Sequence, residues 1–427
     1  MNNVKGTRDF YPEDMEIQNQ IFDIWKKVAR SYNYKEIEGP VLESEEIYRK
    51  SGEEIPEQTY QLEDKAQRKL VLRPELTPTI ARMIQQRKDL PKPIKWFSIP
   101  RCFRYEAPQA GRSREFYQFN LDCLGSSSMT ADAEVIATAI DIMLGFGLTE
   151  KDFYIRLSNR KILQSFITNL GVSNVKGVFR LIDKKDKLGN DVFVLSLKEL
   201  GMDNQQVEKL QNFLNIQQLI KLKMYLSDTL GKQGIKELES LWKLLEQFDL
   251  TKYCKLDLSI MRGFDYYTST IFEVFDSSKE FRAIAGGGRY DDLAGIPGVG
   301  YAMGDIVLQL FLEKKGKLKQ QTQFAIYIIA IGEQTQQEAA SLASELRKIL
   351  RVETDVMEKS ISKQFEYCSQ QQFPYTIILG EDELKKKKFR LKDMKTGKEI
   401  LKTREQLLRF FSKITDLAPA QKKPAGK

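Results

Sequence analysis

Residues 103–125 read FRYEAPQAGRSREFYQFNLDCLG. The segments Ile94–Tyr105 and Glu115–Leu124 are rich in strand-forming residues, and APQAGRS between them is polar and turn-forming. Strand, polar loop, strand predicts a long antiparallel hairpin. Arg104 and Glu106 alternate along its first arm and so share one face. Arg112, Arg114, Phe116 and Gln118 stand across the loop. A planar guanidinium makes paired hydrogen bonds to a phosphate, and a ring such as Phe116 can stack on a base. Taken alone, the block reads better as a surface salt-bridge ladder over aromatic core residues.

Outward from the hairpin, the pattern has three textures. On the N-terminal side, Pro12, Glu13 and Asp14 open a helix whose apolar residues recur through Ile17, Ile21, Trp25 and Val28. A Glu- and Lys-rich stretch follows Gly39-Pro40, and Lys69–Leu72 reads as a short strand running into RPELTPT. On the C-terminal side a helix is predicted near Ala131–Leu144. From Ser158 to Phe248 the chain becomes Leu-, Lys- and Gln-rich with helical periodicity, which reads as a helical insertion between two halves of one domain. Strand patterns return at Cys254–Ile260 and Thr270–Phe275; AGGGRYDDLAG reads as a Gly-rich connection, and Tyr301–Leu312 as the opening of another helix. Beyond Lys319, alternating strand and helix patterns imply a small mixed α/β domain with helices on its sheet faces. It closes with a hairpin turning at Thr396-Gly397 and a helix near Arg404–Phe411. The tail APAQKKPAGK is expected to be disordered.

Composition removes several functions. The 427 residues contain no histidine, which excludes Ser-His-Asp and Cys-His hydrolases, His-ligated metal enzymes and imidazole proton shuttles. Catalysis must run on Arg, Lys, carboxylates, hydroxyls or backbone dipoles. The four cysteines form no CxxC pair, so they read as reduced thiols packed as small hydrophobes. The longest apolar run, Phe324–Ile331, is too short to span a bilayer. MNNVKGTRDFYPED lacks an apolar core, predicts neither a secretion signal nor a transit peptide, and leaves a cytoplasmic location as the expectation. Residues 384–427 hold 15 Lys and Arg against 4 Asp and Glu, a net of +11. With +8 for the whole chain, the remainder carries 8 − 11 = −3. A basic end on a nearly neutral body points to a polyanion, with RNA or DNA the first candidates.

Two further arginine blocks, Arg262-Gly-Phe-Asp-Tyr266-Tyr267 and Gly288-Arg289-Tyr290-Asp291, make the set distinctive. Together the blocks resemble class II aminoacyl-tRNA synthetases, and within them the histidyl-tRNA synthetase family. KGTRDFYPED is similar to that family's N-terminal start, Pro40 falls at the proline of the dimer-forming motif 1, and LRPELTPTIAR resembles the amino-acid-binding loop. FRYEAPQAGRSREFYQFNLDCLG resembles motif 2, RGFDYYTSTIFEVF and AGGGRYDDL resemble the two histidine-specific signatures, and SKQFEYC with ILGEDEL resembles the anticodon-binding domain.

The resemblance implies an α+β catalytic domain on an antiparallel sheet in 1–157 and 249–318, a helical insertion in 158–248, an α/β anticodon-binding domain with a mixed sheet in 319–413, and a basic disordered tail in 414–427. It implies ATP-dependent ligation of L-histidine to tRNA(His) through a histidyl-adenylate, with Mg2+ entering alongside ATP as co-substrate. No tightly bound cofactor or protein-held metal is expected, no membrane contact, and a homodimer. By the same resemblance Arg262 and Arg104 are the catalytic arginines. Arg104, Glu106 and Phe116 bind ATP; Glu75, Thr77 and Gln118 bind the substrate α-amino group; Asp122 and Tyr267 read the imidazole, and Tyr266 lines the same histidine pocket; Gln109, Arg112 and Arg114 meet the tRNA acceptor end.

Two departures stand out. Motif 3 usually carries an arginine that stacks on ATP, but GVGYAMGDIVLQLFLE has none from Gly298 to Glu313. Ala107 stands where bacterial relatives often have a basic residue. The alternative reading is a catalytically inactive synthetase-like paralogue that binds histidine or RNA as a regulator. Such subunits generally lack the anticodon-binding domain and erode the arginine positions, whereas this chain keeps Arg104, Arg262 and its C-terminal unit.

Overall fold

In the computed structural model, residues 2–48, 57–185, 188–261, 267–318 and 324–417 are described. The chain forms two compact units, one ending at Gln320 and the other beginning at Gln321.

The first unit opens with helix α1 (Pro12–Ser31) and the short strands β1 (Lys35–Glu36) and β2 (Leu42–Ser44). Strands β3 (Tyr60–Glu63) and β4 (Lys69–Leu72) pair with β2 in a small three-stranded sheet, which leads into α2 (Thr77–Gln86). The hairpin of the sequence reading is present as β5 (Ile94–Ser98), β6 (Arg101–Phe103) and β7 (Glu115–Leu124). It is followed by α3 (Met129–Gly145) and β8 (Phe153–Asn159). Six helices come next: α4 (Arg160–Asn169), α5 (Val175–Lys184), α6 (Asn190–Glu199), α7 (Asn204–Leu214), α8 (Leu219–Leu222) and α9 (Thr229–Gln247). The unit closes with β9 (Cys254–Leu256), β10 (Thr270–Asp276), β11 (Ala285–Leu293), β12 (Ile296–Gly304) and α10 (Asp305–Lys314).

Nine strands make the large sheet, in the order β1-β5-β7-β12-β11-β10-β8-β9 with β6 beside β7. Pairing is antiparallel except at the two ends, β1 with β5 and β8 with β9. Period two along β7 decides its two faces. Phe119, Leu121 and Cys123 point into the core, where Trp25 of α1 stacks on Phe119 with ring centroids 5.5 Å apart. Gln118, Asn120 and Asp122 line a cavity on the opposite face. Helix α3 is buried nearly all round, as its run of Ala, Ile and Val requires.

Two expectations fail here. AGGGRYDDL is not a connection: residues 285–293 are strand β11, one of the two central strands in the sheet's order. Tyr301 does not open a helix, since β12 runs on to Gly304 and α10 begins at Asp305. Both misreadings come from glycine, whose weak strand propensity punctuates a sequence. Here glycine is required by close approach. A Cβ at Gly287 would lie 2.2 Å from the Gly300 carbonyl oxygen, and one at Gly288 would lie 2.4 Å from that of Thr270.

The inserted helices share the same hydrophobic core as the sheet. Helix α9 is tied to it through Glu237, which accepts from Ser269 Oγ at 2.6 Å and Asn159 Nδ2 at 3.0 Å and pairs with Lys161 Nζ at 2.6 Å.

The second unit contains β13 (Ala325–Ala330), α11 (Glu333–Leu346), β14 (Arg351–Thr354), α12 (Ile361–Gln370), β15 (Tyr375–Leu379), α13 (Glu381–Lys385), β16 (Phe389–Asp393), β17 (Glu399–Lys402) and α14 (Arg404–Leu417). Its sheet, β14-β13-β15-β16-β17, is parallel among the first three strands and antiparallel beyond. The continuous apolar run of β13 serves both faces: Ile326 and Ile328 join one core, Tyr327 and Ile329 the other. Residues 418–427, most of the expected tail, lie outside the described residues.

Candidate active site

The cavity on the open face of the large sheet measures about 840 Å³. Its floor is built by strand alternation. Phe116, Gln118, Asn120 and Asp122 project from one face of β7, and the register sets Gly304, Ala302 and Gly300 of β12 opposite Gln118, Asn120 and Asp122. Small residues on β12 therefore leave the space that the polar residues of β7 face. The fit is tightest at Gly300, where a Cβ would lie 2.2 Å from Asp122 Oδ1.

Asp122 sits at the bottom, 5% exposed. Tyr290 of β11 donates its hydroxyl to Asp122 Oδ1 at 2.7 Å. Burial raises the Asp122 carboxyl to about 7; the Tyr290 hydrogen bond opposes that rise and the nearby Glu75 charge adds to it. Tyr267 is buried beside it, its ring over the Gly288 backbone, where a Cβ would meet Cδ1 at 2.8 Å. Glu75, 4% exposed, and Thr77 at the start of α2 enter from the side; the Glu75 carbonyl accepts from Tyr48 Oη at 3.1 Å.

The other end of the cavity is cationic. Arg104 follows β6, its Nε donating to the Pro74 carbonyl at 3.0 Å and its guanidinium 5.3 Å from the Phe116 ring centre. Glu106 pairs with Arg112 across the hairpin loop. Arg282, on the loop between β10 and β11, lines the same space. Burial, then the charges of Arg112 and Arg104, hold its guanidinium below the ordinary value, with Glu106 opposing.

The cavity thus brings together nine of the residues singled out in the sequence: Glu75, Thr77, Arg104, Glu106, Arg112, Phe116, Gln118, Asp122 and Tyr267. Gln109 and Arg114 stand on the hairpin outside its lining. Gln109 is exposed and bridges to Arg112; Arg114 packs over Tyr105 at 4.2 Å. Arg262 and Tyr266 lie outside the described residues.

The N-terminal segment holds the hairpin in place. Gly6 accepts from the backbone N–H groups of Arg114 and Glu115 at 2.8 and 3.1 Å, and Arg8 pairs at 2.6 Å with Asp305, the first residue of α10. Sequence reasoning missed Tyr290 and Arg282 as cavity residues. Alternation within Gly288-Arg289-Tyr290 carried the first signal. It sends Tyr290 into the cavity and Arg289 to the other side, where Arg289 pairs with buried Asp132 and donates to the carbonyls of Ser126 and Ser128 at 2.8 and 3.0 Å. All four cysteines are buried and unpaired, with burial raising Cys102, Cys254 and Cys368 to about 12, so they are inert at neutral pH.

A family model described as histidyl-tRNA synthetase matches residues 6–304, and one described as anticodon binding domain matches residues 325–414. A histidine–tRNA ligase of Thermoplasma volcanium is 37% identical over 96% of this chain and 98% of its own length. One of Leptospira biflexa is 37% identical over 92% and 93%. Among solved structures, a histidyl-tRNA synthetase from a Nostoc species superposes with a TM-score of 0.80 at 25% identity, over 97% of this chain and 99% of that one. The apo enzyme of Staphylococcus aureus gives 0.74 at 25% identity, over 96% and 100%.

Proposed function

The chain belongs to the histidyl-tRNA synthetase family, and on that premise we propose that it activates L-histidine with ATP and transfers it to tRNA(His). The observation that carries this reading is one cavity with two chemically opposite ends: a buried carboxylate held by a tyrosine hydroxyl, and a ring with arginines about it.

In the first step an oxygen of histidine's carboxylate forms a bond to the α-phosphorus of ATP. The bond from that phosphorus to the bridging oxygen breaks, and diphosphate leaves. Mg2+ enters with ATP as part of the co-substrate. Charge builds on the α-phosphate oxygens, and Arg104 and Arg262 are the guanidiniums assigned to it; no proton transfer is needed in this step, so a chain without histidine can run it. Phe116 stacks on adenine and Glu106 reads its amino group. Glu75, Thr77 and Gln118 hold the α-amino group; buried Gln118 Oε1 has no hydrogen-bond partner among the described residues, which supports a ligand-facing role. Asp122 and Tyr267 read the imidazole, Tyr266 lines the same pocket, and an apolar analogue would strand the Asp122 carboxyl. In the second step the terminal ribose hydroxyl of tRNA attacks the adenylate's carbonyl carbon, the bond from that carbon to the phosphate oxygen breaks, and AMP leaves, its phosphate group accepting the hydroxyl's proton. Gln109, Arg112 and Arg114 stand on the hairpin that meets the acceptor end.

The reading includes a homodimer, on the motif 1 resemblance around Pro40, and a cytoplasmic location. Among the described residues no helix is long and apolar enough to cross a membrane. The deciding experiment is histidine-dependent exchange of pyrophosphate into ATP. Exchange with histidine and with no other amino acid is expected. Histidine binding without exchange would replace the ligase with the regulatory paralogue. Arg262→Ala should lower turnover by about 100- to 1,000-fold, more than it weakens binding, as loss of a transition-state donor does.

A further inference from the structure

Helix α10 presents Ile306 and Val307 to the cationic end of the cavity, and no arginine occurs from Gly298 to Glu313. The loop that carries Arg282 is pinned beside this helix. Buried Asp276 accepts from the backbone N–H groups of Glu280 and Phe281 at 3.0 and 3.1 Å and from Ser278 Oγ at 2.5 Å. Ile284 N–H donates to the Val274 carbonyl at 2.8 Å, so the chain is fixed on both sides of Arg282. The Phe281 ring meets Phe311 of α10 edge-on at 6.1 Å, and Lys314 of the same helix pairs with Glu280. The hairpin tip closes in from the other direction, since a Cβ at Gly111 would lie 3.1 Å from Val307 Cγ2.

Three guanidiniums, those of Arg104, Arg112 and Arg282, line this end together with Glu106, and Glu106 is already paired with Arg112. Arg282 makes no hydrogen bond or ion pair among the described residues, yet it lies close enough to Arg104 and Arg112 for their charges to act on it. Holding like charges together in a half-buried space is unfavourable unless a multiply charged anion joins them. An ATP triphosphate is such an anion, and Arg104 is assigned to its α-phosphate. We propose that Arg282 binds the β- and γ-phosphates of ATP, supplying from the β10–β11 loop the cation that the helix lacks. The inference rests on the ligase reading for the identity of the nucleotide.

The test uses the full chain as wild type, Arg282→Ala and Arg282→Lys, with folding checked by thermal melting. Pyrophosphate exchange should show the ATP KM of Arg282→Ala raised roughly 10- to 100-fold, the value of a charge-assisted hydrogen bond or two. The histidine KM should stay within about twofold of wild type, and Arg282→Lys should recover part of the loss, keeping the charge without the planar fork. Calorimetry with AMP and with α,β-methylene-ATP then locates the contact: Arg282→Ala should weaken the analogue and leave AMP unchanged. An unchanged ATP KM in a folded Arg282→Ala chain overturns the proposal. So does equal loss for AMP and the analogue, or normal exchange with impaired tRNA charging, which would move Arg282 to the acceptor end. A wild-type chain that binds the analogue but exchanges no pyrophosphate would sink the ligase reading, and the calorimetric comparison would still decide Arg282.

Discussion

Asp122, proposed to read the imidazole, carries a cost. Its carboxyl is raised from 3.8 to about 7 by burial, so between those values the native state holds a proton that the unfolded chain has released. Stability then falls as pH rises through that window, and the full penalty is present above about 7. Asp122→Asn keeps the acceptor for Tyr290 and removes the charge. The ligand-free variant should melt higher than wild type at pH 8, by at most about 4 kcal/mol of stability, and match it near pH 4. Catalysis should move the other way. A neutral imidazole N–H donates to a carboxylate, so the wild-type KM for histidine should rise as pH falls below 7. In Asp122→Asn it should be raised at every pH, with the ATP KM unchanged. A variant whose histidine KM keeps the wild-type pH profile would remove Asp122 from the pocket. Arg289, on the opposite face of the sheet from this chemistry, is a contrasting case. Its charge is buried against Asp132 and the Ser126 and Ser128 carbonyls, so Arg289→Met should cost about 3–5 kcal/mol in denaturant unfolding. Motif and spacing placed Arg289 and Arg104 in the same class; only strand alternation separates a structural arginine from a cavity arginine.

At the scale of elements, legibility follows how local the signal is. The β5–β7 hairpin, α1 and the α/β alternation of the second unit rest on periodicity and turn chemistry within a few residues, and they are present as read. Strands β11 and β12 were hidden because their defining property is non-local. Each glycine answers to an atom on another strand: Gly300 to Asp122, Gly287 to Gly300. The same reason hid Arg282, whose neighbours Arg104 and Arg112 are about 170 residues away in the chain. Gly300→Ala tests the strand account. One methyl group would have to displace the Asp122 carboxylate or part β7 from β12, since the clash is 2.2 Å. The expected outcome is a folded protein with histidine affinity reduced by at least about tenfold, an overpacking penalty of 1–3 kcal/mol falling on the pocket. Pyrophosphate exchange at varied histidine reads it. A normal histidine KM in Gly300→Ala would mean that the floor yields elsewhere and that glycine there serves the backbone alone.

At the scale of the whole molecule, the two units divide charge as well as core. Every described residue lining the cavity belongs to the first unit, and the second has its own hydrophobic cores on both sheet faces. The positive charge is concentrated in residues 384–427, including the exposed run Lys385–Lys388, while the rest of the chain is slightly negative. On the proposed reading adenylate formation needs only the cavity, whereas tRNA brings a polyanion whose phosphates are held by Lys and Arg, with counterion release favouring the contact. A fragment of residues 1–320 should therefore fold and exchange pyrophosphate at close to the full-length rate, and should lose tRNA charging. Several lost phosphate contacts correspond to about 100-fold or more in tRNA affinity at moderate salt. The salt dependence gives an independent readout, because the slope of log affinity against log salt counts the phosphates neutralised. Full-length protein should show a steep slope in fluorescence anisotropy with tRNA, and the fragment a shallow one. If both activities fell together in a fragment that still melts cooperatively, the second unit would be completing the catalytic site rather than holding the tRNA. If charging survived with the slope unchanged, the polyanion contacts would belong to the hairpin arginines of the first unit and not to the basic end.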